Sequence, residues 1–176
     1  MRYLLEGQKS KRLSYRKLEE TDFNWWMEFA SHPEAIRYFD FSENINPDDF
    51  CRLWFNKVFD RYKNDTGGYN VLVEHESGKP VGMGGLLVQE VDDIKELEIG
   101  YSLHLDFWGK GYATEAAQKL RDFAFANNFA DSLISIVHVD NSRSANVALR
   151  NGMTPEKTTT FKGITVNIFR IRKPLK

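Results

Sequence analysis

The 176-residue sequence predicts a mixed α/β protein with seven strands. Three observations lead there. The spacing of apolar residues switches several times between a helical and a strand period. Residues 96–139 read as strand, helix, strand, with lengths that suit a crossover between parallel strands. Residues 156–172 then close the chain as a hairpin turning at Lys162-Gly163.

In order along the chain, residues 11–17 (KRLSYRK) form the first strand. Thr21 or Asp22 caps a helix over FNWWMEFA, and Pro33 interrupts it ahead of EAIRYF. Asn46-Pro47 joins a cap to a proline at the first helical position. The helix from there to about Lys63 carries Phe50, Leu53, Trp54, Val58 and Tyr62 at helical spacing. Residues 69–75 and 80–91 are strands around a turn at Ser77-Gly78-Lys79. Residues 96–103 alternate strictly, giving a strand with one apolar and one polar face. Beyond Gly111 the period is helical, with Ala113, Ala116, Ala117, Leu120, Phe123 and Ala124 on one face. Residues 133–139 (LISIVHV) are nearly all apolar, as in a strand buried on both faces. Asn141 or Ser142 starts a short helix that Gly152 ends as a C-cap. No repeat, low-complexity tract or linker divides the chain, so a single domain over 1–176 is the simplest reading.

Composition narrows the function classes. Apolar residues make up 41% and charged residues 28%, an ordinary globular balance. The net charge of −1 favours neither nucleic acid nor an anionic membrane as partner. The basic run Lys9, Lys11, Arg12, Arg16, Lys17 reads as a solvated strand face rather than a binding patch. Cys51 is the only cysteine, which excludes an internal disulfide and CxxC chemistry; among Phe50, Leu53 and Trp54 it reads as a buried apolar thiol. The four histidines lack metal-ligand spacing, and no metal is expected. No window reaches the roughly 18 apolar residues of a membrane span, and the N-terminus lacks a signal-peptide core, so the cytoplasm is the expected location.

The stretch WGKGYATEA, residues 108–116, stands where the strand hands over to the helix. A helix start leaves backbone N–H groups without intrahelical partners, and these favour an anion such as a phosphate. Gly109, Gly111 and Ala113 let a ligand approach that backbone, and Lys110 adds positive charge. A lone GxG is a weak signal, because glycine in a tight turn also has structural uses. Neither a Walker loop nor a complete GxGxxG fingerprint is present.

The wider segment EIGYSLHLDFWGKGYATEAA resembles the acetyl-CoA-binding core of the GNAT acetyltransferase superfamily, and within it the branch of ribosomal-protein N-terminal acetyltransferases. Gly111 and Ala113 fill the last two fixed positions of the family signature Q/R-x-x-G-x-G/A, while Trp108 replaces its Gln or Arg. KRLSYRKLEETDF is similar to the opening strand and first cap of that branch, and DNSRSANVALRNGM to its last helix, so the resemblance spans about residues 9–173. It implies a sheet of about seven strands whose central parallel pair splays, flanked by helices. It also implies acetyl-CoA as co-substrate and direct attack by an amine on the thioester. The cofactor contacts fall on Tyr101, Ser102 and Leu103, which pair with pantetheine, and on Trp108, Gly109, Lys110, Gly111, Tyr112, Ala113 and Thr114 at the turn.

The same resemblance places Glu98 where some relatives keep a base, and Asn141 where a pantetheine contact lies. Ala148 stands where many relatives place a tyrosine acid, and Ser144, one turn earlier, fits a serine near the sulfur. Each has a plainer alternative: a solvated strand carboxylate for Glu98, helix capping for Asn141 and Ser144. The aromatic residues of 38–62, from Tyr38, Phe39 and Phe41 to Phe59 and Tyr62, either wall the acceptor site or fill the core. Asp40, Glu43, Asp48 and Asp49 could draw a cationic amine or be solvated. The acceptor is a protein N-terminus or a small amine. The competing readings are a catalytically silent acyl-CoA-binding module and a pure interaction domain. The oligomer stays open, a homodimer included.

Overall fold

Strand-forming segments pair in a computed structural model that describes residues 2–39 and 45–174. Strands β1 (Leu13–Lys17), β2 (Gly67–Glu74), β3 (Pro80–Val91) and β4 (Ile94–Leu103) form an antiparallel run. The tight turn between β3 and β4 holds Asp92 and Asp93, both at positive φ, and fixes Val91 opposite Ile94. Strands β5 (Ser132–His138), β6 (Thr154–Phe161) and β7 (Ile164–Arg172) complete one sheet in the order β1-β2-β3-β4-β5-β7-β6. Among the described strands only β4 and β5 run parallel, and they are joined through a helix, as the strand–helix–strand pattern requires.

Helices cover both faces of the sheet. Helices α1 (Phe23–Ala30) and α3 (Pro47–Asn64) pack on one face, where Trp26, Phe29, Phe50 and Trp54 meet Val71 and Met83. Helix α4 (Tyr112–Ala126) covers the other, with Ala116, Ala117 and Leu120 against Leu72, Leu86 and Ile99. Val71 and Leu72 are adjacent in β2 and point into different clusters, as strand alternation demands. Helix α2 (Pro33–Ile36) is a single turn and helix α5 (Ser142–Arg150) follows β5. No helix among the described residues is long and apolar enough to cross a membrane.

Several expectations need correction. Pro33 opens α2 at its first position rather than interrupting α1, which ends at Ala30; EAIRYF is helical only to Ile36. Asp22 precedes α1 without capping it by its side chain. Its carboxylate instead takes two bonds from Arg16, both 2.7 Å, and one from the Glu19 backbone. Leu53 has the helical spacing but lies outward, 48% exposed, while Cys51 and Phe55 take the buried positions. The basic run is not a solvated face throughout: Arg12, Arg16 and Lys17 pair with Glu115, Asp22 and Glu6. Asn46 caps α3 as expected, accepting from the Asp49 N–H, and Gly152 follows α5 in the left-handed conformation. Cys51 is buried, and burial raises its thiol pKa to about 12.

Candidate active site

The site begins where the central strands part. β4 pairs with β3 along its whole length but with β5 only at Glu98↔Ile134. One side-chain bridge follows, from Ser135 Oγ to the Ile99 carbonyl at 2.9 Å. Beyond it the two strands line the walls of a cavity of about 1150 Å³, which also reaches the glycine turn and the first turns of α5. Tyr101, Ser102 and Leu103 lie on its β4 wall, Ile136, Val137 and His138 on its β5 wall. The Leu103 carbonyl already accepts from Trp108 Nε1 at 2.7 Å. That bond engages Trp108, the signature's substituted position, in holding the turn.

The glycine turn has a conformational reason for its residue choice. Gly109 and Gly111 have φ of +73° and +81°, and Gly111 is the N-cap of α4. An added Cβ at Gly109 meets nothing within 4 Å, so at that position backbone conformation decides rather than space. Gly111, Tyr112, Ala113 and Thr114 line the cavity at the N-terminus of α4. The Lys110 side chain does not; it is exposed, over the Phe107 ring. The positive group behind the turn is Arg12, which donates to the Lys110 carbonyl at 2.9 Å, stacks 4.2 Å from the centre of the Tyr112 ring and reaches Glu115 through Nε and its backbone N–H, both at 2.7 Å. Tyr112 in turn donates to Glu74.

Glu98 is 8% exposed, which rules out the solvated carboxylate. The second face of β4 is polar in sequence, yet it forms a wall of the cavity rather than a water-facing surface. Gln89 Nε2 donates to Glu98 Oε2 at 2.6 Å. Burial raises the Glu98 pKa, opposed by the Gln89 bond and the charges of Arg61, Lys162 and Lys57. A carboxylate raised in this way is a better proton acceptor near neutral pH than an exposed one.

Asn141 is the N-cap of α5, its Oδ1 accepting from the Ser144 N–H at 3.1 Å. The capping alternative therefore holds for Asn141 and fails for Ser144, whose backbone is capped and whose hydroxyl lies 3.2 Å from that of Tyr101. Ala148 is fully buried, and both Asn141 and Ser144 line the cavity. Asp48 pairs with Arg52 and Asp49 with the Asn46 cap, and neither lines the cavity. Asp40, Phe41 and Glu43 lie outside the described residues. Of the aromatic candidates, Tyr38, Phe39 and Trp54 line the cavity while Phe50, Phe55 and Phe59 pack in the cluster beneath α1 and α3.

Arg12, Gln89, Ser135 and Arg143 were not legible as site residues. For Gln89 a signal existed: the two-residue turn at Asp92-Asp93 sets the register, puts Gln89 opposite Glu96 and hence diagonal to Glu98. Arg143 stacks 4.5 Å from the centre of the Trp108 ring and pairs with Glu34, contacts that no local spacing announces.

Comparison with known proteins bears on the family and the fold. A family model described as an acetyltransferase (GNAT) domain matches residues 12–154. The uncharacterized N-acetyltransferase p20 of Bacillus licheniformis is 26% identical over 156 residues, 87% of this chain and 84% of that protein. Among solved structures, the ribosomal L7/L12 α-N-protein acetyltransferase RimL in complex with coenzyme A superposes with a TM-score of 0.72 at 16% identity, covering 96% of this chain and 97% of that one. The spermidine N-acetyltransferase of Vibrio cholerae, in complex with CoA and spermine, gives 0.70 at 16% identity, covering 92% and 96%. At that identity the two structures speak for the fold.

Proposed function

The chain belongs to the acetyltransferase (GNAT) family, and on that premise we propose that it moves the acetyl group of acetyl-CoA to a primary amine by direct attack within a ternary complex. The observation that carries the reading is the position of Glu98, a buried carboxylate beside the one point where β4 and β5 pair, in the same cavity as the glycine turn. The cavity of about 1150 Å³ exceeds the roughly 300–1,000 Å³ of common single-ligand pockets. That size supports two substrates held side by side.

The residues fit acetyl-CoA as co-substrate. The turn from Trp108 to Thr114 offers helix-start N–H groups for the pyrophosphate, and the free side of β4 at Tyr101 and Ser102 offers backbone groups for pantetheine. Glu98 takes the proton that an ammonium must lose before its nitrogen can attack. A backbone N–H of β4 steadies the developing oxyanion. Ser144 hydrogen-bonds the sulfur as the C–S bond breaks. The nitrogen gains the acetyl carbon and sheds its second proton to solvent, while the electron pair of the broken C–S bond stays on sulfur, which is reprotonated from solvent.

The acceptor is a protein N-terminus or a small amine, in the manner of the ribosomal-protein branch. RimL and spermidine N-acetyltransferase share the fold, and their names give them acceptors of both kinds, so the fold alone does not choose. A net charge of −1 gives nucleic acid and membrane no part in the reading. Ala148, in place of a tyrosine acid, is the observation that favours a silent acyl-CoA-binding module instead. A panel of peptides and small amines, with thiol release from acetyl-CoA as readout, tests the two. Amine-dependent release supports the transferase; tight CoA binding with no release on any amine supports the silent module.

A further inference from the structure

With alanine at 148, the phenol beside the first turn of α5 comes from strand β4. The Tyr101 hydroxyl donates to the Ser144 backbone carbonyl at 3.0 Å and lies 3.2 Å from Ser144 Oγ. Asn141 Oδ1 accepts from the N–H of the same serine. Thus the first turn of α5, which follows β5, is tied to β4 across the gap that opens after Glu98↔Ile134. Tyr101 and Ser144 both line the cavity. A bond between two hydroxyls can run either way. Here the phenol has one proton, which goes to the carbonyl, so the serine O–H is the donor to Tyr101 Oη, a neutral partner it can leave for a stronger acceptor in the gap.

Resting on the acetyl-transfer reading, we propose that Tyr101 is a positioning residue: its hydroxyl ties the Ser144 carbonyl to β4 and holds the serine O–H at the gap, from where it turns to the sulfur of coenzyme A when the thiolate forms. It takes up, from β4, a part of the task that a tyrosine on the last helix would have from the position of Ala148. No proton leaves either hydroxyl. The electron pair of the breaking C–S bond stays on sulfur, Ser144 donates a hydrogen bond to the thiolate, and the thiolate gains its proton from solvent. Burial raises the Tyr101 pKa, so the phenol keeps the proton it donates throughout the working range.

The test needs no acceptor. Free coenzyme A is bound to the full chain and its thiol is titrated by the ultraviolet absorbance of the thiolate. Tyr101→Phe and Ser144→Ala should each raise the pKa of the bound thiol by about one unit, a tenfold change in the thiolate equilibrium. The double variant should go no further than either single one, since the tyrosine acts through the serine. With an amine acceptor, kcat should fall about tenfold in each single variant, with KM for acetyl-CoA nearly unchanged. An unchanged thiol pKa in folded Tyr101→Phe overturns the proposal, as do additive effects in the double variant. Should Tyr101→Phe not fold, an unchanged thiol pKa in Ser144→Ala overturns it independently. A wild type that shifts the thiol pKa but releases no thiol on any amine refutes the transferase reading and still supports the role of Tyr101.

Discussion

Arg12 and Glu115 stand 103 residues apart in sequence and 2.7 Å apart in space, Nε to Oε2. The residue that leads into β1 therefore holds the first turn of α4, and through the Lys110 carbonyl it holds the glycine turn itself. Arg12→Ala should weaken acetyl-CoA binding about fivefold to tenfold, ~1–1.4 kcal/mol, by letting the turn move. Arg12→Lys should recover little, because an ammonium lacks the planar group whose Nε and terminal nitrogen reach Glu115 and the Lys110 carbonyl together. Calorimetry on both variants checks this; unchanged affinity in a folded Arg12→Ala would show that the turn holds its shape without the clamp.

Gly111→Val places a branched side chain in a left-handed conformation at the head of α4. The strain should cost roughly 1–3 kcal/mol of stability. Acetyl-CoA affinity should fall at least about tenfold, ~1.4 kcal/mol, because the helix-start amides lose their aim. Melting and calorimetry on one preparation separate the two effects. A stable variant with wild-type affinity would rule out the cradle.

Asn141→Ala removes the side-chain cap of α5. Stability should drop by about 1 kcal/mol, a fall of roughly 2–4 °C in Tm for a domain of this size. Asn141→Asp keeps the accepting oxygen and should melt near wild type. Thermal unfolding of the three proteins decides it, and an equal loss in Asn141→Asp would point to the amide nitrogen instead of the cap.

The fold was legible because its signals are local. The switch from helical to alternating spacing marked β4, and the Gly111 break marked α4, within two residues of their observed ends. What local spacing does not encode is which face a partner will cover. Leu53 satisfies the helical pattern of α3, but the buried stripe is set by Phe50, Cys51, Trp54 and Val58. Alternation in β4 separates Glu98 from Ile99 without saying that the Glu98 side faces a cavity wall rather than water. Arg12 and Glu115 belong to distant segments, and only the packing of β1 beside α4 joins them.

The catalytic reading stands or falls on Glu98, and a rate–pH profile interrogates that residue. The group is raised by burial, so the fold favours its protonated form. Any stability from that preference is present below the ordinary carboxylate pKa of about 4.3 and is lost as pH rises through the raised value. Glu98→Gln should therefore melt no lower than wild type at neutral pH. Activity runs the other way: the ionised form is the base, so turnover should fall as pH drops through the raised pKa. The measurement is kcat/KM against pH for wild type and Glu98→Gln with one amine acceptor. If Glu98 is the base, Glu98→Gln should lose about a hundredfold or more, show no carboxylate limb in its profile beyond that of the amine, and keep nearly unchanged acetyl-CoA affinity. Turnover within a few-fold of wild type across the whole pH range would exclude Glu98 as the base.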